Sequence, residues 1–205
     1  IYKVSDTSGE EAQARVDITV NQVNDTPQPG IVSYSTQEDT PLTVVDAGVG
    51  ILKETTDIEG DTLTVNTTPV VDVSNGTLVL SEDGTFSYAP DQNFNGSDTF
   101  TYEVTDSAGN SASGVVNISV SSVNDDPVSG DRAFSVDENT TENAVPELTA
   151  TDVDGTIAGY KLMSTPNFGG TLVTPEGTWT IGHTIPVSDA GSVLYTPASG
   201  FYGVE

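Results

Sequence analysis

The sequence predicts an all-β protein made of tandem Greek-key β-sandwiches of immunoglobulin-like type, and three observations carry that prediction. Thr, Ser, Val, Asp and Gly abound in a chain of 205 residues in which Lys, Arg, Ala and Leu are scarce, a profile suited to strands and turns. Apolar and polar residues alternate in short runs, the period of half-buried strands, and no segment shows a helical period. The chain also repeats itself. Shifted by 100 positions, Tyr2, Val4, Asp6 and Gly9 fall on Tyr102, Val104, Asp106 and Gly109, and Val16, Ile18, Val20, Val23, Asn24 and Asp25 fall on Val116, Ile118, Val120, Val123, Asn124 and Asp125. That spacing is the size of one sandwich module.

Strands are expected at 31–37, 42–45, 62–66, 77–80, 85–88, 99–104 and 114–121, which makes seven. Glu82-Asp83-Gly84 marks a tight hairpin, because Asp-Gly accepts the positive φ such turns need. The repeat divides the chain into residues 26–125 as one complete module, 1–25 as the last two strands of a preceding module, and 126–205 as a module lacking its own last two. Tyr88, Pro90, Phe94, Gly96 and Asp98 recur as Tyr195, Pro197, Phe201, Gly203 and Glu205. Residues 1–25 of one copy are therefore expected to be able to complete residues 126–205 of another, head to tail. Ile1 opens directly in strand-like sequence, as expected of an excerpt from a longer chain.

Thirty-one acidic residues against five basic ones give a formal charge of −26. Such a chain repels nucleic acid and anionic lipid and draws cations. There is no cysteine, so neither disulfides nor thiolate metal sites are available. No apolar run approaches the roughly 20 residues that span a bilayer, so direct membrane insertion is not expected.

Strand direction assigns each loop to one end of the sandwich. The second-to-third loop carries Asp57, Glu59 and Asp61, the sixth-to-seventh carries Asp106, and both face the linker Asn24-Asp25 at the N-terminal pole. Glu38 and Asp98 belong at the opposite pole, toward Asn124, Asp125 and Asp126 and the loop holding Asp152 and Asp154. Asp61 and Asp126 stand outside the main set of expected ligands. Carboxylates and amide carbonyls converging on one spot repel unless a hard cation holds them, and Ca2+ takes about six to eight oxygen ligands of this kind.

Ala150-Thr151-Asp152-Val153-Asp154-Gly155, the linkers Val23-Asn24-Asp25-Thr26-Pro27 and Val123-Asn124-Asp125-Asp126-Pro127, and Val104-Thr105-Asp106 resemble the cadherin-like repeats of bacterial and archaeal surface adhesins. The resemblance spans nearly the whole chain. It implies calcium held between successive repeats, with Glu38 and Asp98 in places similar to the family's remaining acidic ligands. The Asp-Arg-Glu motif of animal cadherins is absent, and Glu59 stands where the family has aspartate. An extracellular, calcium-stiffened adhesion rod is the function it implies, with a self-assembling filament and a carbohydrate-binding accessory module as alternatives.

No enzyme is expected. The one histidine, His183, falls in an irregular loop without a nucleophile marked beside it. Trp179 and Tyr202 offer a sugar-stacking platform only if they are not core residues.

Overall fold

The alternation read in the sequence becomes a two-sheet sandwich between residues 32 and 121. The structure, a computed structural model, describes residues 1–204 in two units, Ile1–Ser122 and Val123–Glu205. Glu205, aligned above with Asp98, lies outside the described residues.

Unit 1 opens with an antiparallel hairpin of β1 (Tyr2–Ser5) and β2 (Glu11–Ala14). Seven strands follow, one for each run read from the sequence: β3 (Val32–Gln37), β4 (Leu42–Val44), β5 (Thr64–Val65), β6 (Gly76–Leu80), β7 (Phe86–Pro90), β8 (Gly96–Thr105) and β9 (Ser111–Ser121). They form a four-stranded sheet of order β3-β9-β8-β5 and a three-stranded sheet of order β4-β7-β6. β3 runs parallel to β9, and every other pair is antiparallel.

The core follows from the two-residue period. Val116, Ile118 and Val120 of β9 line the same buried face as Phe100, Tyr102 and Val104 of β8, with Val116 directly opposite Phe100, and Phe86 and Tyr88 of β7 close the layer from the opposite sheet. Phe86 meets Tyr34 edge-on at 4.9 Å and Phe100 at 5.7 Å between ring centroids, the arrangement that the ring quadrupoles favour. Gly84 ends the β6–β7 turn with φ +81°, and Asp83 accepts from the backbone N–H and the hydroxyl of Thr85. One feature departs from the sequence reading. The connection from β4 to β5 holds two 3-10 turns, Ala47–Val49 and Ile51–Glu54, each too short to leave a helical period; Ile51 plugs the core from there.

Register also exposes the repeat in space. Tyr2, Lys3, Val4 and Ser5 pair with Ala14, Gln13, Ala12 and Glu11, as Tyr102, Glu103, Val104 and Thr105 pair with Gly114, Ser113, Ala112 and Ser111. The surroundings differ sharply. Tyr102, Val104, Val116, Ile118 and Val120 are at most 4% exposed, whereas Tyr2, Val4, Val16, Ile18 and Val20 are 56–89% exposed.

Unit 2 contains β10 (Val128–Ser129), β11 (Asn143–Ala144), β12 (Ala150–Thr151), β13 (Gly159–Lys161), β14 (Thr171–Thr174), β15 (Gly177–Thr178), β16 (Thr184–Pro186) and β17 (Leu194–Thr196). Its β11-β17-β14 order reproduces β4-β7-β6, with Tyr195 where β7 has Tyr88. Trp179, Ile185 and Val193 form its core, packed by Tyr160, Leu162 and Leu172.

Phe100 sits at the centre of the unit 1 core, so Phe100→Ala should lower unfolding free energy by about 3–5 kcal/mol. Urea unfolding followed by tyrosine fluorescence checks this; a loss below 1 kcal/mol would contradict the assigned core.

Candidate metal centre

The N-terminal pole is assembled by ordinary strand pairing. β8 carries its C-terminal end there, β9 leaves from there, β3 starts there in parallel with β9, and β5 pairs with the end of β8. The linker is then held by its own backbone. Gln28 and Thr56 exchange two hydrogen bonds at 2.7 and 3.0 Å, which fixes Asp57 beside the linker, and the preceding Pro27 is fully buried. Unit 2 repeats this pairing where Val128 meets Thr151, directly ahead of Asp152.

Asp57, Asp61 and Asp106 each present a carboxylate oxygen within 4.8 Å of the others. Local turns position them. Asp57 Oδ1 accepts the backbone N–H groups of Glu59 and Asp61, both at 3.1 Å, and Asp106 Oδ1 accepts those of Ala108 and Asn110, both at 2.9 Å. Asn24 joins through its amide, which donates to Asp106 Oδ2 at 2.7 Å. Asp25 donates its backbone N–H to Glu59 Oε2 at 3.1 Å. Burial pushes the Asp106 carboxyl up, but hydrogen bonds from Asn110, Asn24 and Ala108 outweigh it and hold the group below its ordinary 3.8.

One atom in this cluster has no account in the protein alone. Asp57 Oδ2 is buried and has no hydrogen-bond partner, an uncompensated position for a carboxylate oxygen beside two other carboxylates. A hard divalent cation with oxygen ligands fits that donor set: Asp57, Asp61 and Asp106 as carboxylates, with Asn24 at the rim. Asp61, which the sequence reading left outside the main set, lies together with Asp57 and Asp106; the signal was its place four residues after Asp57, where the turn brings the two together. Glu59 serves instead as the acceptor for the linker backbone, because its longer side chain reaches Asp25.

The opposite pole of unit 1 is different in kind. Asp98 was expected as a metal ligand. It is 4% exposed, and its carboxylate accepts from the backbone of Ser74 at 3.0 Å, Asn75 at 2.9 Å and Thr99 at 2.9 Å and from the Tyr88 hydroxyl at 3.1 Å. Four protein donors already neutralise it, so Asp98 is a structural clamp on the loop that leads into β6. Burial raises its pKa, but these four hydrogen bonds leave it below 3.8. Burial and the adjoining Asp98 carboxylate push the Tyr88 phenol well above its usual range. Glu38, also buried, accepts from the Asn95 amide at 3.2 Å.

In unit 2, Asn124, Asp125, Asp152 and Asp154 reproduce the linker geometry of unit 1. Asn124 donates to its neighbour's carbonyl as Asn24 does. Asp125 donates its N–H to Asp154 Oδ1 at 3.3 Å, and Asp152 Oδ1 accepts from Asp154 and Gly155. Trp179 is 7% exposed and its indole N–H donates to the His183 carbonyl at 2.9 Å, so it is a core residue and not a sugar platform. His183 itself faces Glu176 at 3.5 Å on the surface.

Because the folded Asp98 titrates below its ordinary value, its contribution to stability is complete above about pH 4 and disappears as pH falls through the lower folded value. Asp98→Asn should remove about 2–3 kcal/mol at neutral pH and flatten the acid limb of stability against pH. Urea midpoints from pH 7 down to pH 2 check both; parallel limbs for the two proteins would contradict the clamp.

Residues 23–121 match the cadherin-like domain. No curated protein sequence matches the chain. Among solved structures, the protocadherin gammaB7 EC3-6 cis-dimer is similar at 14% identity and TM-score 0.46, covering 95% of this chain and 55% of that one. The human desmocollin-1 ectodomain is similar at 14% and 0.43, covering 88% and 39%. An endo-fucoidan hydrolase of glycoside hydrolase family 107 is similar at 21% and 0.35, covering 51% and 15%. The chain thus spans 15–55% of the length of these structures. The match over residues 23–121, which contain the whole β3–β9 sandwich and its carboxylate cluster, makes that part of the chain a cadherin-like domain.

Proposed function

We propose that the chain is a run of extracellular adhesion-type repeats in which calcium fastens each linker to the module that follows it, stiffening a rod at the cell surface. The orphaned Asp57 Oδ2 within the Asp57, Asp61 and Asp106 cluster is the observation that supports this most directly. Asn24 touches the cluster from the linker side, so an ion bound there couples to linker position. Fixing a short connector removes conformational freedom that it would otherwise keep. The role is mechanical, and no residue is assigned a catalytic part.

Calcium titrated into the chelator-treated chain should raise the melting temperature, with a gain of about 2.7 kcal/mol at a hundredfold excess over the dissociation constant. Asp57→Asn and Asp61→Asn should each abolish most of that gain, and Asp98→Asn should leave it intact despite its lower starting stability. Small-angle scattering in the same titration reads the stiffening. No calcium-dependent rise in the unaltered chain would sink the reading.

A second reading draws on the apolar row of residues 1–25, whose counterparts in the complete module are buried. That row supports head-to-tail completion of a neighbouring copy, giving a surface filament. Concentration-dependent sedimentation that Ile18→Asp removes would support it; a monomer at every concentration would exclude it.

A further inference from the structure

We propose that Asn95 is a self-modification site: in the folded protein its side-chain amide is lost to the backbone nitrogen of Gly96, while the same dipeptide at Asn75-Gly76 is protected. Asparagine followed by glycine is open to this reaction because glycine places no side chain in the way of its own nitrogen. The Gly96 nitrogen gives up its proton to solvent base and bonds to Asn95 Cγ. The Cγ–Nδ2 bond breaks and ammonia leaves. One water then opens the five-membered imide at either carbonyl, leaving aspartate or isoaspartate. Asparagine and water become aspartate and ammonia, with no oxidant or reductant involved.

The structure separates the two dipeptides. Asn75 is held on both sides: its N–H donates to Asp98 Oδ2 at 2.9 Å, and its carbonyl accepts from the Asp91 N–H at 2.9 Å and the Tyr88 hydroxyl at 3.2 Å. Gly76 opens β6 so tightly against β7 that an added Cβ would lie 2.4 Å from the Ala89 carbonyl. Ring closure requires the Asn-Gly backbone to swing, which these contacts prevent without local opening. Asn95 lies exposed ahead of β8. Gly96 opens β8 opposite Val120 but is exposed there, with φ +133°, and the nearest atom to an added Cβ is on the Phe94 ring at 3.7 Å. Only the glycine is needed by the turn: unit 2 has Tyr202-Gly203 in the corresponding place, with Gly203 at φ +146°.

The reaction has a structural consequence because of what Asn95 touches. Its amide donates to Oε2 of the buried Glu38 at 3.2 Å. Hydrolysis replaces that neutral amide donor with a second carboxylate, so a hydrogen bond to the buried Glu38 carboxylate becomes a like-charge contact. Asn95 thereby sets an irreversible change at the C-terminal pole of unit 1.

The full chain, kept folded at mildly alkaline pH, is sampled over days by peptide mass spectrometry. The Asn95 peptide should gain one dalton and split into aspartyl and isoaspartyl forms, with the Asn75 peptide at least about tenfold slower because it waits for local opening. In urea both should convert at similar rates. An intact Asn95 in the folded chain, or equal rates for the two sites there, would overturn the proposal. Separately, Asn95→Asp should lower the melting temperature and Glu38→Gln in the same chain should restore most of the loss; an unchanged melting temperature for Asn95→Asp would overturn the link to Glu38.

Discussion

The two-residue period of β8 is the constraint on which the rest of the molecule depends. Alternate residues of a strand face the same side, so the row that points into the sandwich reads Asp98, Phe100, Tyr102, Val104 and then Asp106 just past the strand's end. Three large apolar side chains hold the two sheets together. The same register drives a carboxylate into the interior at each end of the row, and each must be compensated there or remain protonated.

The two ends compensate in different ways. At the C-terminal pole, the loop before β6 turns the N–H groups of Ser74 and Asn75 onto Asp98, and Tyr88 adds its hydroxyl. Donors of the protein itself therefore compensate the Asp98 carboxylate. At the N-terminal pole the donors that reach Asp106 come from its own turn and from the linker, while Asp57 and Asp61 add carboxylates instead of donors. In a chain of net charge −26 with only five basic residues, no ion pair among the described residues offsets them. An inorganic cation is then the available source of positive charge.

Much of this was legible in the sequence because it rests on period and repeat. The seven strands of the β3–β9 sandwich, the turn at Gly84 and the convergence of Asn24, Asp57 and Asp106 on one pole all follow from alternation and strand direction. What was not legible depends on where single loop atoms point. Asp98 shares the repeat position and residue type of a ligand, and nothing in its sequence neighbourhood announces that Ser74 and Asn75 will cap it from more than twenty residues away. Asp61 and Glu59 exchange roles for a similar reason. The turn at Asp57 brings the shorter side chain inward, and the extra methylene of glutamate carries its carboxylate out to the linker backbone. Trp179 gives the same lesson in unit 2, where the choice between core and surface was made by packing that alternation alone does not specify.

The linker is also better ordered than charge repulsion alone would allow. Four hydrogen bonds seat it on unit 1: Asn24 to Asp106, Asp25 to Glu59, and the reciprocal pair of Gln28 and Thr56. All of them form between groups already in the chain, so a cation entering the cluster does not have to gather the linker from solution. Under the proposed reading, its binding energy would go instead into relieving the contact among Asp57, Asp61 and Asp106. On that reading, a cation in this preformed cradle would raise the cost of leaving a geometry the protein already prefers, and would not have to create that geometry.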